Sequence, residues 1–131
     1  MDCSSGVEFY GTWKDNYALT AVDPGWEWKK GNNFGACWNN CTSLTDFPPN
    51  MFRWDQDNWN VSAFSQTWKT CALTAQSIEN ILVSLDGNSS LPAVPIGIDG
   101  GTNAGKSTWS ATAVAAFDSL VVKGCAILYN A

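Results

Sequence analysis

Three segments of this chain repeat one spacing of large apolar side chains: FYGTWKDNYALTAV from Phe9, FGACWNNCTSLTDF from Phe34 and FSQTWKTCALTAQ from Phe64. The shared pattern is F-x-x-x-W-x-x-[CN], then one or two residues, then Leu-Thr. Phe9, Trp13 and Asn16 align with Phe34, Trp38 and Cys41, and with Phe64, Trp68 and Cys71. Leu19, Leu44 and Leu73 close the three units. Positions i, i+4 and i+7 share one face of a short helix or helical turn, so the spacing predicts one in each unit. The following Leu-Thr predicts a short extended piece, which DPG at 23–25 and PP at 48–49 end in two units. No unit is large enough to cover its own Phe, Trp and Leu, so each must stack on a neighbour, as in a leucine-rich-repeat solenoid.

Beyond the third unit the signals change. TAQSIENILVSL carries Ile78, Ile81, Leu82 and Leu85 at helical spacing, with Thr74 as its N-cap. DGNSSLP breaks that helix, and AVPIGID predicts a strand. A second helix follows with Ala113, Phe117, Leu120 and Val121 on one side; Gly124 stops it and CAILYN forms a last strand. Alternating helices and strands predict parallel strands beside a helical layer.

At 131 residues the chain is long enough for one domain with a modest core. Residues 1–33 read as a divergent first repeat or cap, 34–86 as repeat units and 87–131 as a C-terminal cap. Eight tryptophans must supply much of that core, while only 15% of residues are charged. The net charge of −5, with basic residues scattered singly apart from Lys29-Lys30, provides no footprint for nucleic acid. Histidine is absent, which removes the commonest general base and metal ligand. No apolar run approaches the ~20 residues that span a bilayer, and MDCSSGVEFYG has neither the basic nor the apolar region of a secretory signal. Five cysteines without a C-x-x-C pair predict reduced, buried thiols.

One stretch points elsewhere. Gly100 to Ser107, GGTNAGKS, fits the phosphate-loop pattern G-x-x-x-x-G-K-[ST] between a predicted strand and a predicted helix. Nucleotide hydrolysis also requires an acid on a later strand to hold magnesium, and CAILYN carries none. A strand-to-helix connection is the better reading, and nucleotide binding is kept as a remote alternative.

Two aromatic clusters are candidate contact sites. Trp26 and Trp28 alternate in DPGWEWKK, which places both rings on one side of an extended segment. They pack on the first repeat or form an interface anchor. Trp54, Asp55, Asp57 and Trp59 lie together in FRWDQDNWN, where rings beside carboxylates can hold a sugar. The D-x-D spacing is a poor calcium signal because Trp59 takes the next ligand position. The sequons NCT, NVS and NSS are expected by chance in so Asn- and Ser-rich a chain.

With the units aligned, NCTSLTDFP, FSQTWKTCALTAQSIENILVSLD and IGIDGGTN…KGCAILYN resemble the BspA-type leucine-rich repeats of bacteriophage virion proteins. The resemblance covers about residues 34–131, and LTAQSIENIL is its most specific part. It implies a binding or structural role at the surface of a virus particle or cell, without catalysis. The expected fold is α/β: a short leucine-rich-repeat-like solenoid with a strand-helix-strand cap. The expected function is a non-enzymatic, free-standing virion structural protein, a capsid decoration or a tail or fibre accessory. It would dock on other virion subunits and self-associate, without catalytic residues, metal, cofactor, nucleic acid or membrane insertion. A carbohydrate- or receptor-binding adhesin is the alternative.

Overall fold

The computed structural model describes residue 3 and residues 5–131. It is a mixed helix and strand structure: α1 (Ala75–Asp86), β1 (Ile96–Ile98), a 3-10 turn (Lys106–Thr108), α2 (Ala111–Val122) and β2 (Ile127–Tyr129). β1 and β2 form a two-stranded parallel sheet, with Ile96 beside Ile127 and Ile98 beside Tyr129. Both helices begin where a hydroxyl caps them. Thr74 accepts from the Ser77 amide and Ser110 from the Ala113 amide. α1 buries Ile78, Ile81, Leu82 and Leu85 as its spacing predicts. α2 buries Ala113, Ala116, Phe117 and Leu120, whereas Val121 is 46% exposed and Ala116 takes its expected place. Gly124, at φ +97°, lets the chain leave α2 in a left-handed conformation toward β2.

The three Phe-Trp segments stack as the spacing predicts, but none of them is helical. In each, the chain makes consecutive tight turns. The Thr12 and Asn16 amides bond to the Phe9 and Trp13 carbonyls, and the Cys37 and Cys41 amides bond to those of Phe34 and Trp38. The third residue of these turns is left-handed at Gly11 and Asp15, Ala36 and Asn40, Gln66 and Thr70. A left-handed residue every four positions resets the chain direction. Phe and Trp four apart therefore point the same way without the 3.6-residue winding of a helix. This corrects the expected helical turn.

The turns free alternate amides to bond sideways. Amides of Phe9, Gly11, Trp13 and Asp15 donate to carbonyls of Asn33, Gly35, Cys37 and Asn39. Phe34, Ala36, Trp38 and Asn40 donate in turn to Ala63, Ser65, Thr67 and Lys69. Trp68 and Thr70 then donate to Gly97 and Asp99, bringing β1 against the third segment. Those bonds hold the rings in two columns. Phe9, Phe34 and Phe64 lie 5.1 and 5.7 Å apart with their rings nearly parallel, and Trp13, Trp38 and Trp68 lie 5.4 and 5.9 Å apart. Each stacked pair adds about 0.5–1.5 kcal/mol beyond its burial.

Between the columns and α1 runs the loop segment 46–59, which turns at 49–52. Ser77 and Ser84, seven residues apart on the inner face of α1, accept from the Phe47 and Phe52 amides at 2.9 and 2.8 Å. Two buried hydroxyls in an apolar helix face thereby satisfy backbone that would otherwise be orphaned. Phe47 and Phe52 then wedge edge-on against Trp68.

Candidate functional site

Thiols are placed as packing groups. The Cys41 and Cys71 Sγ atoms donate to the Trp13 and Trp38 carbonyls at 3.0 and 3.1 Å, each linking one Phe-Trp segment to the one before. Burial pushes the Cys71 thiol up to about 12 and that of Cys37 well above its ordinary value. Thiolates, the form that attacks or binds metal, are thus disfavoured. All five cysteines are free, and no group of three metal-ligating side chains occurs among the described residues.

The phosphate-loop pattern folds into something else. Gly100 and Gly101 are left-handed, as a tight turn requires. Four of the turn's amides are already spent outside it, however: Gly100 on Asn130 Oδ1, Thr102 on Cys71 O, Ala104 on Leu73 O and Lys106 on Asn130 O. A cradle needs those donors aimed at a shared anion. Lys106 instead lays its ammonium over the Phe117 ring, 4.2 Å from the centroid. α2 begins only at Ala111, beyond the pattern, with its first turn capped by Ser110.

The two aromatic clusters end up as neighbours. Trp28 is 1% exposed, its Nε1 donating to Met51 O at 3.0 Å, so it belongs to the core and is withdrawn as a surface contact. Trp26 is half-buried on Trp13, with ring centroids 5.2 Å apart. Trp54 leans on Phe52 and Phe34, and Trp59 on Phe64, with the Trp59 Nε1 bonded to Ser90. Neither ring of that pair stands free as a sugar platform. Asp55 and Asp57 are exposed on a shallow surface with Gln56 and Ser90. Gln56 donates from this loop to the Lys30 and Gly31 carbonyls, and Asn88 donates to the loop's own carbonyls at Phe52 and Trp54.

The spacing of the tryptophans does not reveal the cleft of about 200 Å³ that separates residues 24–29 from 50–54. Trp26 and Trp54 line it together with Glu27, Lys29 and Arg53. Trp28 also lines it, so it joins both tryptophans of the first predicted cluster to Trp54 of the second, and its mixed charges suit a small polar group.

Most exposed large apolar side chains lie toward the two extremes of the stack: Val7, Tyr10 and Tyr17 on or beside the first Phe-Trp segment, and Val121, Val122, Leu128 and Tyr129 on α2 and β2; Val61, between the second and third segments, is exposed as well. None carries a motif, and only their position in the fold marks them. No helix among the described residues is long and apolar enough to cross a membrane. No family model, curated protein or solved structure matches this chain.

Proposed function

We propose that this chain is a short leucine-rich-repeat-like solenoid with a strand-helix-strand cap. In this reading it serves as a non-enzymatic structural protein on a phage surface, docking on other virion subunits. The winding is supported by the order of contacts: each Phe-Trp segment bonds to the next, the third to β1, and β1 to β2. Docking rests on one observation: Val61 apart, the exposed large apolar side chains among the described residues lie on or beside the first Phe-Trp segment or on α2 and β2. Tyrosine is enriched at interfaces, and apolar side chains grouped rather than scattered mark contact surfaces. The burial that raises the Cys37 and Cys71 thiols, and the bonding of the Gly100, Thr102, Ala104 and Lys106 amides within the fold, support reading these groups as structural. An antibody against the chain, applied to purified particles in electron microscopy, tests the reading. Labelling at a fixed capsid or tail position is expected; labelling confined to unassembled protein would overturn it.

The adhesin alternative is favoured by the Trp26–Trp54 cleft, where rings, acid and bases converge. A glycan array probes it directly. Binding abolished by Trp26→Ala supports this alternative, and a blank array removes it.

A further inference from the structure

We propose that the Trp26–Trp54 cleft takes a carboxylated sugar, the end residue of an acidic glycan. The inference deepens the adhesin alternative by naming its ligand class, and rests on that reading only for the cleft being a ligand site.

Charge selects the acid. The chain carries a net charge of −5, yet Lys29 and Arg53 stand against a single carboxylate, Glu27, among the residues that line the cleft. Two cations and one acid leave it net positive by one charge. Neither cation is spent on an ion pair: the one salt bridge among the described residues joins Lys123 to Asp86. The acids next to the cleft in sequence are engaged elsewhere. Asp23 accepts from the Gly25 amide, and Asp55 belongs to the surface that Gln56 and Asp57 share. A surplus of one positive charge suits a carboxylate better than a phosphate dianion, and the planar fork of an arginine pairs with a carboxylate through two parallel bonds. Arg53 is seated in advance. A Cβ on Gly87 would stand 2.9 Å from its Nε, while Gly87 has an ordinary φ of −73°, so glycine serves there to leave room for the guanidinium. The C-terminal end of α1 also favours a cation beside it.

Shape and polarity select the sugar. Trp26 is half-buried, backed by Trp13 and set edge-on to Trp28, so its ring is held in place without being covered. Trp54, braced by Phe52, stands on the opposite wall. A pyranose offers such rings its apolar C–H face, while its hydroxyls donate to Glu27 and bond with Asn50. The volume of about 200 Å³ falls below the ~300–1,000 Å³ of sites for drug-sized ligands, which restricts the cleft to one terminal residue.

A nuclear magnetic resonance titration of the pure chain tests this, following the Trp26 and Trp54 indole N–H signals at physiological ionic strength. The probes are glucuronate, glucose and N-acetylalanine, which present acid with ring, ring alone and acid alone. Glucuronate should shift both signals saturably, and the other two should bind about tenfold more weakly or less. Arg53→Gln should weaken glucuronate about tenfold or more. Lys69→Gln, which removes a cation outside the cleft, should leave it unaltered. No saturable shift with glucuronate, equal binding of either other probe, or an Arg53→Gln variant that binds like wild type would each overturn the inference, as would equal losses in both variants. Near-ultraviolet circular dichroism verifies the fold, and Arg53→Lys, which keeps the charge without the fork, replaces a Gln variant that fails it. Neutral glycans bound on the array with glucuronate unbound would overturn this inference alone, whereas a blank array removes the adhesin reading, so the two fail separately.

Discussion

The aromatic half of the molecule, through Leu73, and the half from Thr74 onward solve the same packing problem with different material. In the first, almost no regular secondary structure forms. Turns with left-handed residues hold flat rings in columns, and the loop segments 22–30 and 46–59 fill the space behind them. In the second, two capped helices fill that space, and Ile96, Ile98 and Tyr129 lie on short strands. Where a helix supplies the wall, the facing strand manages with isoleucine. Where only loop supplies it, the chain uses tryptophan and phenylalanine. Ring area substitutes for missing secondary structure.

The contrast can be broken at its centre. Trp38→Ala, between Trp13 and Trp68 in a fully buried site, should cost about 3–5 kcal/mol. Leu82→Ala on α1 should cost about 2–5 kcal/mol, and urea unfolding of both should place Trp38 above Leu82. Equal costs would mean that the rings carry no special share.

Alkali should attack the aromatic half through its thiols. Cys71 sits at about 12 in the fold against an ordinary value of 9.0. Between those values the unfolded chain has lost a proton that the folded chain keeps, so stability falls as pH rises through that window. Below 9.0 both states hold the proton and this contribution is flat. In Cys71→Ala the alkaline decline should be shallower.

Capping changes sharpen the comparison from the other side. Ser110→Ala removes the hydroxyl that caps α2 and bonds Glu79 of α1, and should cost about 1 kcal/mol. Thermal unfolding measures it. The smallest effect has the opposite sign. Gln66 is exposed and left-handed at φ +56°, a conformation that costs an L-residue about 1–2 kcal/mol. Gln66→Gly should raise stability by about 1 kcal/mol or less, because glycine also loses more freedom on folding.

The sequence made the second half more legible than the first. Thr74, Ser110 and the apolar spacing of α1 are local signals, and the helices follow them closely. The stacking of Phe9, Phe34 and Phe64 was legible too, because a column of identical rings leaves a repeat. Its backbone was not. The left-handed positions carry Asp15, Ala36, Asn40, Gln66 and Thr70 as well as Gly11, so no glycine rhythm announces the turns. Helical spacing and four-residue turns also predict the same Phe-to-Trp interval. The contact clusters stayed ambiguous for a related reason: Trp28 can be read as packing or as an anchor, and Trp54 and Trp59 as a sugar contact, because nothing in their spacing tells that Phe34, Phe52 and Phe64 lie behind them.

The account depends on backbone ladders where no helix or long strand exists, and native-state hydrogen exchange reads them directly. Amides of Phe34, Ala36, Trp38 and Asn40, each bonded to the next segment, should exchange as slowly as those in the middle of α1. Exchange at those four positions as fast as in an open loop would contradict the stack.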